Sequence, residues 1–383
     1  MQEVNEEQRR VWQLLESVAV TDFSDSWFEQ AVDLAKGLTD PDLLIALAAR
    51  HKMTPAVAEF YRSAGLTRTL PIGMRDLLAG SLAWNRYKVE KLRDESVEIA
   101  GRFAEHGVPV VFNKGIALQH TLYDGRGVRS FGDLDLMLHP DDIPAARAAL
   151  QSLGYVPEQT YDPDLGRLVP LPRQTVLMYR LYPDHLPHFH RIDPESGVPV
   201  YKVDVALSLT WHGSGWQLPM AEAMGSARET QVGPHARHLL PTLGHEYAFL
   251  FVVLHLFRDC WFERAIAEGG LRITQFADVW RYWQRWGRDH AEQVRTLVRD
   301  NDLGPAVAWI THYVDALYGS TITADLDVRA FCVPEWLRSA AGTDGGFLGW
   351  DGDIRDRLYS PAPAALVPAD EPPHGARARG RTS

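Results

Sequence analysis

Apolar residues recur at helical spacing through the first hundred positions. Trp12, Leu14, Leu15 and Val18 form one stripe and Trp27, Ala31, Leu34 and Ala35 a second, the period of amphipathic helices. Asp40, in Thr-Asp-Pro-Asp, stands where an N-cap carboxylate would accept the first free amides of a helix over LLIALAARH. Residues 74–106 read as one long helix, closed by Gly107 as a C′ glycine closes one. The pattern then changes. VPVVF (108–112) is a short β-branched run, 115–122 is helical, DLDLML (133–138) alternates, and 141–153 is a capped amphipathic helix ending at Gly154. Tyr155, TVLMYRLY (175–182), HFHRI (188–192) and VPVYKVDVALSL (198–209) read as a strand-rich continuation. Helical spacing returns over 239–318, in YAFLFVVLHLF and ITQFADVWRYWQRW. The succession predicts an α+β protein with a mixed sheet and helices packed on it. Its parts are a helical N-terminal region (1–107), an α/β core (108–215), a helical C-terminal region (216–358) and a disordered tail (359–383) rich in Pro, Ala, Gly and Arg.

Charge narrows the partners. With 39 Lys and Arg against 50 Asp and Glu, the net charge is −11, which argues against gripping long nucleic acid, since that needs basic stripes. Two cysteines, Cys260 and Cys332, make neither a disulfide framework nor a zinc ribbon and point to a reducing compartment. The start, MQEVNEEQRR, lacks the apolar core of a secretory signal. The longest apolar run, 247–257, falls short of the roughly 20 residues that span a bilayer. A soluble, cytoplasmic protein without a membrane partner is expected.

The segment with chemistry in it is VFNKGIALQHTLYDGRGVRSFGDLDLML. Asp133 and Asp135, two apart on a strand, project to the same face, while Leu134, Leu136 and Leu138 point to the core. Adjacent carboxylates repel unless a cation lies between them, and Mg²⁺ takes such hard oxygens together with those of phosphates. Alone, the pair reads first as a solvated strand edge. Two features favour the metal reading. Lys114-Gly115 stands where a strand opens a helix, and a glycine there lets backbone N–H groups approach a phosphate. Asp204, between Val203 and Val205, faces away from the core and would supply a third ligand from another strand. His185, His188 and His190 cluster, and His188 and His190 share a face; a structural or acceptor-binding role is weighed ahead of a transition metal. His190, Arg191 and Lys202 lie on strands beside the site, within reach of a substrate. The glycines at 125, 127 and 132 follow a helix rather than a strand, against a dinucleotide fingerprint. There is no P-loop, G-x-S-x-G or H-E-x-x-H motif.

Lys114-Gly115, then Arg129, then Gly132-Asp133-Leu-Asp135-Leu-Met-Leu and Leu-Gly-Tyr (153–155) together resemble the uncharacterised nucleotidyltransferase family of the polymerase β-like nucleotidyltransferase superfamily. LLIALAARHKMTP (43–55) is similar to its helical lead-in, and HEYAFLFVVLHLF with the later Asp278 to its helical C-terminal part, so the resemblance spans residues 40–290. It implies a nucleotidyltransferase core of mixed sheet with helices on one side. It also implies transfer of a nucleoside monophosphate, AMP being the first candidate, from an NTP to a small-molecule or peptide acceptor with loss of pyrophosphate. By position, Asp133 and Asp135 would bind two Mg²⁺ (or Mn²⁺) ions, and Asp204 would complete the site and help deprotonate the acceptor hydroxyl. Lys114 and Gly115, in place of a Gly-Ser pair, would cradle the β- and γ-phosphates, and Arg129 would neutralise the departing pyrophosphate. Two positions depart from the pattern: Asn113 replaces an apolar residue, and Ala206 a histidine that often follows the third acid. Such proteins resemble tailoring enzymes of natural product biosynthesis. The alternatives are a non-catalytic nucleotide- or partner-binding module on the same fold, and a toxin-like enzyme modifying tRNA. The intact triad favours catalysis.

Overall fold

The computed structural model describes residues 5–233, 237–268, 270–360 and 362–379; the sequence start and the last four residues of the expected tail thus lie outside the described residues. The chain divides into two compact units. One comprises Met1–Arg86, Gly127–Ser130 and Val252–Arg379, the other Tyr87–Arg126 and Phe131–Phe251.

The second unit is built on a seven-stranded sheet. Its strands are β1 (Val111–Phe112), β2 (Leu134–Met137), β3 (Val156–Pro157), β6 (Phe189–Ile192), β7 (Val200–Ala206), β8 (Arg228–Val232) and β9 (His238–Thr242), while β4 (Gln159–Asp162) and β5 (Arg167–Pro170) form a separate hairpin. The order is β3-β6-β7-β2-β1-β9-β8. β2 runs parallel to β7 and β1 to β9, and every other pairing is antiparallel. The sheet is therefore mixed, as expected, and the protein is α+β with helices in its N- and C-terminal regions.

One face of this sheet is apolar. Phe112, Leu134, Leu136, Phe189, Val203 and Val205 are almost wholly excluded from water. They pack with Leu92, Ile99 and Phe103 of the helix Ile72–Glu105 and with Ala146, Ala149 and Leu150 of the helix Ile143–Ser152. Both helices end on glycines at positive φ, Gly107 at 65° and Gly154 at 84°. At the first end, the N–H of Val108 donates to the carbonyl of Phe103 at 3.0 Å, closing the turn in the left-handed manner glycine permits.

Three segments differ from the sequence reading. TVLMYRLY lies on a helix, Arg173–Leu181, that starts directly after Pro172. Leu, Met and Arg favour a helix, and the β-branched content is too small to oppose it. β8 and β9 extend the sheet into the region read as helical; their sequences, RETQV and HLLPT, carry too few β-formers to announce strands. In the tail, Leu366–Ala369 is a strand and Gly375–Arg379 a short helix. The strand pairs with Phe347–Trp350, whose backbone groups composition cannot reveal.

The first unit is mainly helical. Asp40 caps its helix by accepting from the amide of Leu43 at 2.9 Å. Arg281 is buried, donating to the carbonyl of Ala19 and to Asp22, and Phe257, Trp261, Trp309 and Trp336 pack edge and face in a core. The strands Ser339–Ala341, Phe347–Trp350 and Leu366–Ala369 form an antiparallel sheet in this unit. Among the described residues no helix is long and apolar enough to cross a membrane.

Candidate active site

The apolar periodicity of β2 and β7 leaves their other face to polar groups. In register, Asp135 stands opposite Asp204 and Leu136 opposite Val205. Paired residues on neighbouring strands share a face, so Asp135 and Asp204 are side by side. Asp133 immediately precedes β2, two positions before Asp135. Leu134, Val203 and Val205 have no exposed surface, and this buried face fixes the register that presents the acids.

Each carboxylate meets a cation or imidazole of its own chain. Lys114 Nζ lies 2.8 Å from Asp135 Oδ1 and Lys202 Nζ 3.4 Å from Asp133 Oδ2. His185 Nδ1 lies 3.0 Å from Asp204 Oδ1. His188 Nε2 stands 3.6 Å from the same oxygen, an ion-pair distance too long for a hydrogen bond. The acids consequently differ. Burial pushes the Asp135 carboxyl up to about 6, against the pull of Lys114, and the charges of Asp133 and Asp204 add to the rise. Burial acts on Asp204 in the same direction, but His185, His188 and Lys114 overcome it and hold that carboxyl far below the usual range. Asp133 is also held low, because Lys202 and Lys114 outweigh its burial. Burial would lower the Lys114 ammonium, yet Asp135 and Asp204 raise it. Burial brings His188 down to about 4, with Asp204 opposing. The Nδ1 of His188 lies at hydrogen-bond distance, 3.3 Å, from Tyr179 Oη, while Nε2 is turned to Asp204.

The Lys114-Gly115 pair opens the helix Lys114–Thr121. Lys114 has φ 30°, a sparsely occupied conformation for a residue with a side chain and one of a kind found at functional sites. Next to it, Asn113 N–H donates to the Asp135 carbonyl at 2.9 Å, tying the helix start to β2. Gly115 has no room for a side chain: a Cβ would come within 3.0 Å of Phe131 Cδ2 and 3.1 Å of both the Asp133 carbonyl and Asp135 Oδ2. Its absence lets backbone stand against the carboxylates.

Lys114, Gly115, Asp133, Asp135, Asp204 and Lys202 are thus brought together, with His188 touching Asp204. His190 stands opposite Lys202 and shares the polar face; burial lowers its pKa and Lys202 adds to the effect. Arg191, one position on, faces the core side. It pairs with Glu95 and lies over the rings of Tyr155 and Tyr201 at 5.4 and 5.2 Å. Arg129 belongs by its contacts to the first unit, where its Nη2 is 2.9 Å from Asp278 Oδ2. Sequence reasoning missed Tyr179, and it named His185 only as a member of the histidine cluster, without its contact to Asp204. His185 was visible in DHLPHFHR, but only the antiparallel bridge of His185 to Ala206 shows that a small residue at 206 stands across from the histidine that reaches Asp204.

Among the described residues no three His, Cys, Asp or Glu side chains are drawn around one point as a bound metal would draw them. The donor set nevertheless suits a hard divalent cation. It offers carboxylate oxygens without thiolates, and a cation would offset the burial and the neighbouring negative charges that raise Asp135. Mg²⁺ or Mn²⁺ would be held by Asp133, Asp135 and Asp204, displacing the lysines.

The mixed sheet thus presents an Asp-x-Asp pair beside a third acid, under a Lys-Gly helix start. The family model of the uncharacterised nucleotidyltransferases matches residues 38–319, and the chain belongs to that family. It is thereby a transferase by class, with an NTP as the implied substrate. No curated protein matches the chain.

Proposed function

We propose that the protein is a metal-dependent nucleotidyltransferase that moves an NMP, AMP as first candidate, from an NTP to a small-molecule or peptide acceptor, releasing pyrophosphate, as a tailoring step in natural product biosynthesis. The observation that carries this reading is the parallel register of Asp135 with Asp204, with Asp133 two positions before. Bound Mg²⁺ would supply charge neutralisation at the α-phosphate and its leaving group. The chain's residues do the rest. Asp204, kept anionic by its histidines, accepts the hydrogen bond of the acceptor hydroxyl. Lys114 offers its ammonium to the triphosphate, and Gly115 lets backbone amides approach it. His188, His190 and Lys202 line the polar face on which the acceptor would lie. This is positioning and preorganised charge, which suffice for phosphoryl chemistry.

The test is to incubate the protein with each NTP and MgCl₂, measuring nucleotide binding and slow pyrophosphate release. Mg²⁺-dependent binding is expected, lost in Asp133→Asn with Asp135→Asn while the fold is retained. Binding that persists undiminished in that variant would sink the carboxylate assignment.

A further inference from the structure

Three lysines surround the acid pair, and only two of them are used. Lys114 is paired with Asp135 and Lys202 with Asp133. Lys88, on the helix Ile72–Glu105, is the third. Its ammonium stands beside Gly132, 3.7 Å from where a Cβ there would lie. Asp133 draws on it electrostatically, yet burial is the stronger effect on it. Among the described residues it has no hydrogen-bond acceptor or ion-pair partner.

Lys88 is half-buried, and even a partial withdrawal of an ammonium from water without a partner is unfavourable. Lysines on helices ordinarily avoid the situation by extending into solvent, and Lys88 instead turns its charge to the loop that delivers Asp133. Gly132 keeps that charge uncovered, since it carries no side chain to lie over Nζ. An anion arriving at the acid pair would find one uncommitted cation of the chain there.

The charges of the site agree with this. Asp133, Asp135 and Asp204 carry three negative charges when ionised. Lys114 and Lys202 are paired with two of them and His185 and His188 stand at the third, so Lys88 is the cation here that no acid among the described residues holds in an ion pair. That uncommitted positive charge favours the anionic end of an arriving triphosphate.

We infer that Lys88 is a ligand of the nucleotide's β- and γ-phosphates, a contact made to the triphosphate and not to the nucleoside monophosphate that is transferred. This rests on the transferase reading above and adds to it a residue from outside the sheet. Lys88 would hold the terminal phosphates at the Gly132 side while Lys114 holds them at the helix start, so the leaving group is fixed from two directions. Being a point charge on a flexible stem, a lysine suits an anion whose position shifts as pyrophosphate departs.

The experiment is isothermal titration of the full chain with each of the four NTPs and the four NMPs in MgCl₂, comparing wild type with Lys88→Met, Lys88→Gln and Lys88→Arg, and with thermal melts to establish folding. The expected result is a roughly ten-fold or larger loss of NTP affinity in Lys88→Met and Lys88→Gln, of the size of one charge-assisted contact. NMP affinity stays within about two-fold, and Lys88→Arg keeps most of the NTP affinity. Equal NTP affinity in wild type and a folded Lys88→Met or Lys88→Gln would overturn the assignment and leave the transferase reading standing. Equal losses for NTP and NMP would also overturn it, because the contact would not be to the leaving phosphates. A wild-type protein that binds no NTP refutes the transferase reading itself, and this inference with it.

Discussion

Gly115→Ala adds one methyl group where the helix start meets the acid pair. The Cβ would sit 3.0 Å from Phe131 Cδ2, 3.1 Å from the Asp133 carbonyl oxygen and 3.1 Å from Asp135 Oδ2. Carbon contacts are normally found at about 3.5–4.0 Å, so all three neighbours must withdraw by several tenths of an ångström together. Two of the three belong to the Asp133–Asp135 segment, which is held from behind by Leu134 and Leu136 in a close-packed core and cannot retreat freely. Overpacking of this kind costs about 1–3 kcal/mol. Against it, replacing a helical glycine whose φ is not positive by alanine contributes about 0.4–1 kcal/mol through the unfolded chain. The net loss of stability should lie between about 0 and 2.6 kcal/mol. Function should suffer more, because displacing catalytic groups by up to 1 Å can cost about 10²-fold in rate. We expect a small fall in melting temperature together with at least about a ten-fold loss of Mg²⁺-dependent nucleotide binding or turnover. Denaturation curves and titration calorimetry measure the two quantities on the same preparation. A Gly115→Ala protein that binds and turns over nucleotide like wild type would refute the claim that backbone must lie against the carboxylates.

Other perturbations separate structure from chemistry. Asp135→Ala leaves the Lys114 ammonium buried without its partner and should cost about 3–5 kcal/mol in metal-free denaturation. Lys114→Met combined with Asp135→Ala should cost less than the two single changes added, and strict additivity would contradict the pair. Tyr155 Oη donates to Glu95 Oε1 at 2.6 Å, both groups being buried, so Tyr155→Phe should lower stability by about 1.5–3 kcal/mol with little change in nucleotide affinity; an unchanged urea midpoint would show the bond to be worth nothing. His51 has no exposed surface, and its Nδ1 accepts the Ile273 amide at 3.2 Å. Burial, then the charges of Arg50 and Arg272, hold it at about 3. The unfolded imidazole protonates near 6.5 and the folded one does not, so its contribution is complete above that pH and is lost as pH falls towards 3. At pH 5 the loss is about 2 kcal/mol at 1.36 kcal/mol per unit. Stability–pH curves of wild type and His51→Leu should therefore diverge below pH 6.5, and parallel curves would remove the assignment.

The acid triad and the Lys-Gly pair were legible in the sequence because each rests on a local rule. Alternation in DLDLML assigns Asp133 and Asp135 to one face and three leucines to the other. Glycines 107 and 154 mark where helices end, and the structure finds both at positive φ. What the sequence withheld was pairing. The parity of 190, 202 and 204 separates His190 from Arg191 only once Lys202 is known to stand opposite His190. His185 lies outside any regular strand and reaches Asp204 from a single bridge, a contact that no spacing within the chain encodes. Lys88 lies mid-way along a long helix of ordinary composition, and nothing in its neighbours says that its ammonium is turned to Gly132. β8 and β9 were hidden for a different reason. Strand β9 is recruited by β1 through backbone hydrogen bonds, and backbone pairing can override weak propensity.

The three carboxylates are chemically alike and are held by unlike partners, and the difference has consequences for the proposed reaction. Lysines end in point charges on four-carbon stems, so Lys114 and Lys202 can leave Asp135 and Asp133 for phosphate oxygens without movement of the sheet. An imidazole on a short arm cannot do the same. His185 is anchored by its bridge to Ala206, and His188 is held from its far side by Tyr179. Asp204 therefore keeps its partners whether or not a nucleotide is present, whereas Asp133 and Asp135 can exchange theirs. On the proposed reading this divides the triad by task. The exchangeable pair would give up its lysines to the arriving nucleotide and its cation, and the fixed acid, anionic throughout, would complete the cation site and answer to the acceptor hydroxyl.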